Sequence, residues 1–143
     1  MSLTSANAII TLSQAVLFPT PFQIAQFAAD DVTGMADVTI LEDQMGVDGV
    51  LSFGFVWVPR EQEITLKADS PSVAFFDAIS VQQEAVQDVY PLNGTILLPS
   101  IGKLFNLING GLRRYKPMPD VKKILQPLRY GILWNRVVPS NTR

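Results

Sequence analysis

The side chains that most often carry out chemistry are scarce in this 143-residue sequence. Histidine is absent, which removes the usual general base, the commonest metal ligand and the ordinary switch near neutral pH. Cysteine is absent too, so disulfides, thiolate zinc sites and thiol nucleophiles are excluded. Ser13, Ser52 and Ser100 therefore have no imidazole to activate them. Glu61 and Glu63 share one face of a predicted strand and could imitate a catalytic carboxylate pair, although paired acids on exposed strands usually serve only as solvated charge. Asp43 and Asp48 flank a glycine-containing loop that lacks the regular oxygen-ligand spacing of a calcium loop. Asn109-Gly110-Gly111 is followed by no Gly-Lys-Ser/Thr, and no Gly-x-Gly-x-x-Gly opens a helix, so no phosphate cradle is indicated. The Asn93-Gly94-Thr95 sequon reads better as a hairpin turn than as a glycosylation site. The expectation is a non-enzymatic chain with no catalytic, cofactor-binding or metal-binding residues.

What stands out instead is the distribution of charge. The formal net charge is −2, yet residues 1–102 hold 12 acids and 2 bases, whereas residues 103–143 hold 1 acid and 9 bases. Halves of opposite sign can attract one another within a fold, attract the opposite half of a neighbouring copy, or present a basic face to nucleic acid. The last option would use Arg113, Arg114, Lys116, Lys122 and Lys123, but only Tyr115 and Tyr130 lie close enough in sequence to stack on bases. With 48% hydrophobic and 17% charged residues, the chain is less charged than the roughly 25% of an average soluble domain. Apolar surface is therefore expected to meet other chains. Residues 1–29 are uncharged, but Pro19 and Pro21 interrupt them and no basic segment precedes them, so neither a signal peptide nor a membrane span is expected. A cytoplasmic product is the expectation.

The elements that must position these residues are mostly strands, in one domain over residues 1–143. Asn7 to Leu12 and Phe22 to Ala28 read as uncharged strands around a Pro19/Pro21 corner. Ala36 to Glu42 alternates Val38 and Ile40 against Asp37 and Thr39. The loop Asp43-Gln44-Met45-Gly46-Val47-Asp48-Gly49 should reverse the chain. In Val50 to Val58, Leu51, Phe53, Phe55 and Trp57 form a predicted core face, while the opposite face of Val50, Ser52, Gly54, Val56 and Val58 is small enough to be covered by a helix or another subunit. Gln62 to Ala68 directs Ile64 and Leu66 inward, with Glu63, Thr65 and Lys67 outward.

One helix is predicted over residues 71–87, with Ser70 as N-cap and Pro71 at the first helical position. Phe75, Phe76, Ile79 and Val86 make its apolar stripe. Ala74, Ala78, Val81 and Ala85 make a smaller-residue flank that either lies on the parent sheet or meets a neighbouring chain. Turns are predicted at Asn93-Gly94, Asn109-Gly110-Gly111 and Lys116 to Pro119, with strands across Leu112 to Tyr115 and Tyr130 to Val138.

The order of these elements resembles the inner tail tube proteins of contractile-tailed bacteriophages. The similarity runs through Gly46-Val47-Asp48-Gly49, Glu63-Ile64-Thr65-Leu66-Lys67, the Asp69-Ser70-Pro71-Ser72 helix opening, Asn93-Gly94-Thr95 through Pro99-Ser100, and Asn109-Gly110-Gly111. The resemblance implies a mainly β antiparallel sandwich or barrel with one flanking helix, six copies per ring, and rings stacked into a hollow tube through which DNA passes without specific binding. It further implies tail sheath, tape measure and baseplate partners and a place in the virion tail. The secreted tube protein of type VI systems is related. In the tail tube family a long hairpin loop and the chain termini contact the adjacent ring, which the resemblance carries over to Asp43 to Gly49 and the N-terminal segment. Met45 and Val47 are apolar residues in a loop rich in glycine and acid; they either tuck back onto the parent sheet or bury apolar surface on the adjacent ring, with Asp43 or Asp48 approaching Arg113, Arg114 or Lys116. A tail terminator or baseplate adaptor ring, a nucleic-acid-binding module and a small-ligand barrel are the competing readings.

Overall fold

The computed structural model describes residues 8–24 and 33–141. As expected, the chain is mainly β and antiparallel, with one helix. The strands are β1 (Ile9–Gln14), β2 (Phe18–Ile24), β3 (Thr33–Met35), β4 (Leu41–Met45), β5 (Leu51–Phe55) and β6 (Arg60–Leu66); after helix α1 (Val73–Val86) come β7 (Leu92–Leu98), β8 (Lys103–Arg114) and β9 (Leu128–Asn141). Seven strands form one sheet in the order β2-β1-β7-β8-β9-β6-β3, while β4 and β5 form a separate two-stranded sheet. The described strands do not close into a hydrogen-bonded barrel, because β2 and β3 remain at opposite edges.

One face of the sheet carries the core. Ile10 and Leu12, Ile64 and Leu66, and the alternating set Leu128, Tyr130, Ile132 and Trp134 are all buried, as the two-residue period of a strand requires. The helix lies against this face through Phe75, Phe76 and Ile79. Phe76 stacks on Tyr130 with ring centroids 4.3 Å apart, and Phe75 stacks on Phe22 of the edge strand at 5.3 Å. Val86, read as part of the same stripe, is exposed. The helix begins two residues later than the proline pattern suggests, with Ser72 at the N-cap position making no side-chain cap bond. Ser70 still contributes, since its hydroxyl accepts from the Ser72 amide at 3.2 Å.

Two expected turns lie inside strands. Asn109-Gly110-Gly111 belongs to β8, where Leu92 pairs with Gly110 and Gly94 with Leu107. One residue of β7 thus faces two of β8, the arrangement of a β-bulge. Asn109 takes a positive φ of 49°, and its amide donates to the Asn93 side-chain oxygen at 3.1 Å. The bulge switches the inward alternation from Leu107 to Gly110 and Leu112, so a twelve-residue strand keeps its apolar side on the core. Gly110 is needed for a second reason: a Cβ there would sit 2.3 Å from the indole of Trp134, its cross-strand partner. Asn93-Gly94 likewise lies within β7, and a Cβ at Gly94 would strike Leu12 at 2.6 Å.

The Trp134 indole N–H donates to the Gln62 side-chain oxygen at 2.9 Å, and the Gln62 amide donates to the Thr33 hydroxyl at 2.9 Å. That chain ties β9, β6 and β3 together. At the other edge, Gln14 is buried and its side-chain oxygen accepts from the amides of Val16 and Leu17, both at 2.7 Å, which closes the β1–β2 connection. Pro19 and Pro21 are accommodated within β2 because, among the described residues, it is an edge strand with one side free of ladder bonds. The N-terminal segment read as a contact, and residues 25–28 of the second expected strand, fall on or run into residues outside those described.

Three further expectations are corrected. Residues 36–40 are not strand; the chain breaks there between β3 and β4, and neither Val38 nor Ile40 is buried. Thr65, read as outward, is buried. The supposed core face of residues 50–58 is exposed, with Phe53 at 67% and Trp57 at 73% of full accessibility. Alternation shows that a strand has an apolar side, but only the arrangement of the sheets shows whether anything covers it.

Replacing Phe76 with alanine removes the ring that seals Tyr130, and calorimetry should show a loss of about 3–5 kcal/mol. Tyr130 gives a second test. Its buried hydroxyl has no hydrogen-bond partner, and burial, with a smaller contribution from Asp77, raises its pKa from 10.0 to about 12. Because the folded value lies above the unfolded one, the protonated phenol's contribution to stability is intact below pH 10 and is lost as pH rises toward 12. Denaturant titrations should therefore show stability falling across that window, with a shallower fall in Tyr130→Phe.

Candidate functional site

No three carboxylates converge as a metal site among the described residues. Glu61 and Glu63 sit on the sheet face opposite the core residues Ile64 and Leu66. Glu61 is paired with Arg114 at 2.6 Å and with Arg113 at 3.6 Å; Glu63 is paired with Arg129 at 3.2 Å. Lys116 pairs with Asp120 at 3.2 Å. The acidic and basic parts of the chain thus meet on one surface of the fold, because β6 lies beside β9 and β9 beside β8. The nucleic-acid reading places Arg113, Arg114 and Lys116 in a patch with Lys122 and Lys123, but those first three already have acid partners.

The structural feature that offers an interaction site is the β4–β5 hairpin. Its register runs from Leu41 opposite Phe55 to Met45 opposite Leu51. Asp43, Gln44 and Met45, read as loop, are the end of β4, and the reversal is confined to Gly46, Val47, Asp48 and Gly49. The Gly46 amide donates to the Val50 carbonyl at 2.9 Å and the Gly49 amide to the Gly46 carbonyl at 3.0 Å. Gly49 has φ of 83°, a conformation glycine adopts without strain. Asp48 steadies the turn by accepting from the Val50 amide at 3.1 Å.

Every residue of the two hairpin strands is exposed. Leu41, Met45, Val47, Val50, Leu51, Phe53, Phe55 and Trp57 all present apolar surface to solvent, and Phe55 meets Trp57 edge to face at 4.9 Å. An apolar arm of this size is unusual on a soluble monomer and is characteristic of a surface that another chain covers. Sequence reading identified the tip but assigned the aromatic residues to the core. The available signal was that residues 50–58 are apolar on both faces, which a strand with only one covered side does not require.

The helix flank is also open: Ala74, Val81 and Ala85 are exposed and Ala78 is half-buried. No described helix is long and apolar enough to cross a membrane. The loop between β8 and β9, residues 115–127, carries Lys122 and Lys123 among exposed Met118, Val121, Ile124 and Leu125. Its composition was legible, but its apolar exposure was not.

No curated protein matches the chain. Among solved structures it is similar to a chain of the anti-feeding prophage baseplate, at 14% identity and TM-score 0.65, over 100% of this chain and 98% of that one. It is similar to a chain of the extended sheath–tube complex of the extracellular contractile injection system PVC, at 9% identity and TM-score 0.67, over 98% and 92%. A chain of that system's sheath/tube terminator matches at 9% identity and TM-score 0.66, over 98% and 97%. At these identities the likeness is one of fold. The family model described as "Tail fiber protein gp32" matches residues 1–138. The chain thus belongs to the tail fiber protein gp32 family and is a structural protein of the phage-tail type.

Proposed function

We propose that the chain is a non-enzymatic, cofactor-free ring subunit of a contractile tail, assembling as hexamers that stack into an inner tube through which phage DNA passes without specific binding. The observation that carries this reading is the exposed β4–β5 hairpin, which lies outside the main sheet with apolar side chains on both faces and no cover among the described residues. A stacked neighbour supplies that cover. The outer edges of β2 and β3 fit the same reading: among the described residues they have no partner, and edge-to-edge pairing in a closed ring removes such edges. Sheath, tape measure and baseplate proteins would be its other partners, in the virion tail and, during assembly, in the host cytoplasm.

A second reading is a terminator or baseplate adaptor ring. It is favoured by similar chains having been recorded in baseplate and terminator structures. The two readings differ in the length of the assembly, since an adaptor forms single rings and a tube subunit forms filaments.

Negative-stain microscopy of the purified protein should show rings and tubes; single rings at every concentration would favour the adaptor, and a stable monomer at high micromolar concentration would sink both. Deleting Gln44 to Val47 should leave a folded subunit that closes into rings and stacks poorly. Tubes of normal length from that variant would refute the role given to the hairpin. Ala78→Glu on the open flank should leave the melting temperature of isolated subunits within a few degrees, as surface substitutions do, and reduce ring yield. A large loss of thermal stability would show the flank to be ordinary core.

A further inference from the structure

The hairpin and the β8–β9 loop stand at opposite ends of the same ladder. β6 begins at Arg60, opposite Trp134, and ends at Leu66, opposite Leu128. The hairpin joins the sheet at the first end, since β5 leads through residues 56–59 into Arg60. The β8–β9 loop joins it at the second, where Ile124, Leu125 and Pro127 line a shallow groove with Lys67, Ala68 and Asp69, the residues that follow β6. About 20 Å of strand separates the two attachment points, at about 3.3 Å per residue.

The two features are complementary. Glu42, Asp43 and Asp48 of the hairpin have no ion pair among the described residues, and they stand beside Met45 and Val47. Of the bases near the other feature, Arg113 and Arg114 at the end of β8 and Lys116 in the loop are already engaged by Glu61 and Asp120, while Lys122 and Lys123 of the loop have no acid partner among the described residues. They are flanked by Val121, 71% exposed, and Ile124, 76% exposed. The loop is also held in shape, unlike a free tether. The Gln126 amide donates to the Asp120 carbonyl at 3.1 Å, its side chain donates to the Ile124 carbonyl at 2.9 Å, and Val121 bridges Leu125. A bases-only surface would suit phosphates; one that interleaves two lysines with three large aliphatic side chains suits an acidic, apolar protein edge.

We infer that the hairpin tip of one copy docks on the β8–β9 loop of the next copy, with Met45 and Val47 against Val121, Ile124 and Leu125, and the hairpin acids against Lys122 and Lys123. The inference rests on the reading of the chain as a self-assembling subunit and names the partner surface of its hairpin. Because acid and base poles lie at opposite ends of the sheet, one copy cannot satisfy itself. The contact is head to tail, and each copy leaves one pole of each kind open, so it repeats.

The absence of cysteine from the sequence makes the contact testable by crosslinking. Val47→Cys and Ile124→Cys, placed in one chain and treated with a short bismaleimide, should give a ladder of covalent multimers. Each single variant should stay uncrosslinked, and a mixture of the two should give dimers only. Lys122→Glu with Lys123→Glu should weaken the ladder about tenfold, as expected when several rim attractions become repulsions. Adding Glu42→Lys and Asp43→Lys should restore it; Asp48 is spared because the turn uses it. Three results would overturn the inference while leaving self-assembly intact: stacked rings by microscopy without the Val47–Ile124 crosslink, Val47 homodimers, or no rescue by the charge exchange. Loss of binding to a DNA fragment on loop reversal, with an unchanged ladder, would overturn it in favour of nucleic acid. A wild-type protein that remains monomeric would overturn the assembly reading itself.

Discussion

Phe76 lying flat on Tyr130 is the contact on which the fold depends. The described chain has one helix to cover the apolar face of a seven-stranded sheet, so that helix must reach both the central strands and the β2 edge. It does so with adjacent phenylalanines set nearly perpendicular, Phe75 toward Phe22 and Phe76 toward Tyr130. Close-packed interiors tolerate little loss of volume at such a point. Leu107 and Leu112 of β8 with Leu128, Tyr130, Ile132 and Trp134 of β9 supply much of the apolar floor. The bulge at Asn109 keeps that floor apolar beyond Leu107, and Gly110 lets the Trp134 ring lie against its neighbour's backbone.

On the opposite face of the sheet the acidic and basic parts of the chain meet through Glu61 and Glu63. Acids of β6 and bases of β8 and β9 stand side by side, and their ion pairs are exposed, where each contributes only about 0–1 kcal/mol. Their larger effect is on what remains. Once Glu61, Glu63 and Asp120 have engaged Arg113, Arg114, Arg129 and Lys116, the acids of the hairpin and the lysines of the β8–β9 loop are left at opposite ends of the sheet. A subunit polarised in this way, with apolar side chains at both poles, has a direction of association built into it.

Much of the fold was legible from local chemistry. The helix followed from the Ser70-Pro71 opening and the spacing of Phe75, Phe76 and Ile79; β6 followed from the alternation that buries Ile64 and Leu66; the hairpin reversal followed from Asp48-Gly49. These succeed because the signal and its cause lie within a few residues of each other. Asn93-Gly94 and Asn109-Gly110-Gly111 misled for the same reason. The dipeptides favour turns in isolation, but in the sheet each is bound by a neighbouring strand, and the positive φ at Asn109 makes a bulge instead of a reversal.

By itself the sequence determined the absence of histidine and cysteine chemistry, the β-rich class with one helix, and the opposed charges of its two parts. The tertiary structure decided which apolar faces are core and which are open. Leu51, Phe53, Phe55 and Trp57 have the same alternation as Tyr130, Ile132 and Trp134, yet the first set belongs to a hairpin outside the main sheet and the second lies beneath the helix. Burial is a property of what else is nearby, and no local pattern encodes whether the covering surface comes from the same chain or from another.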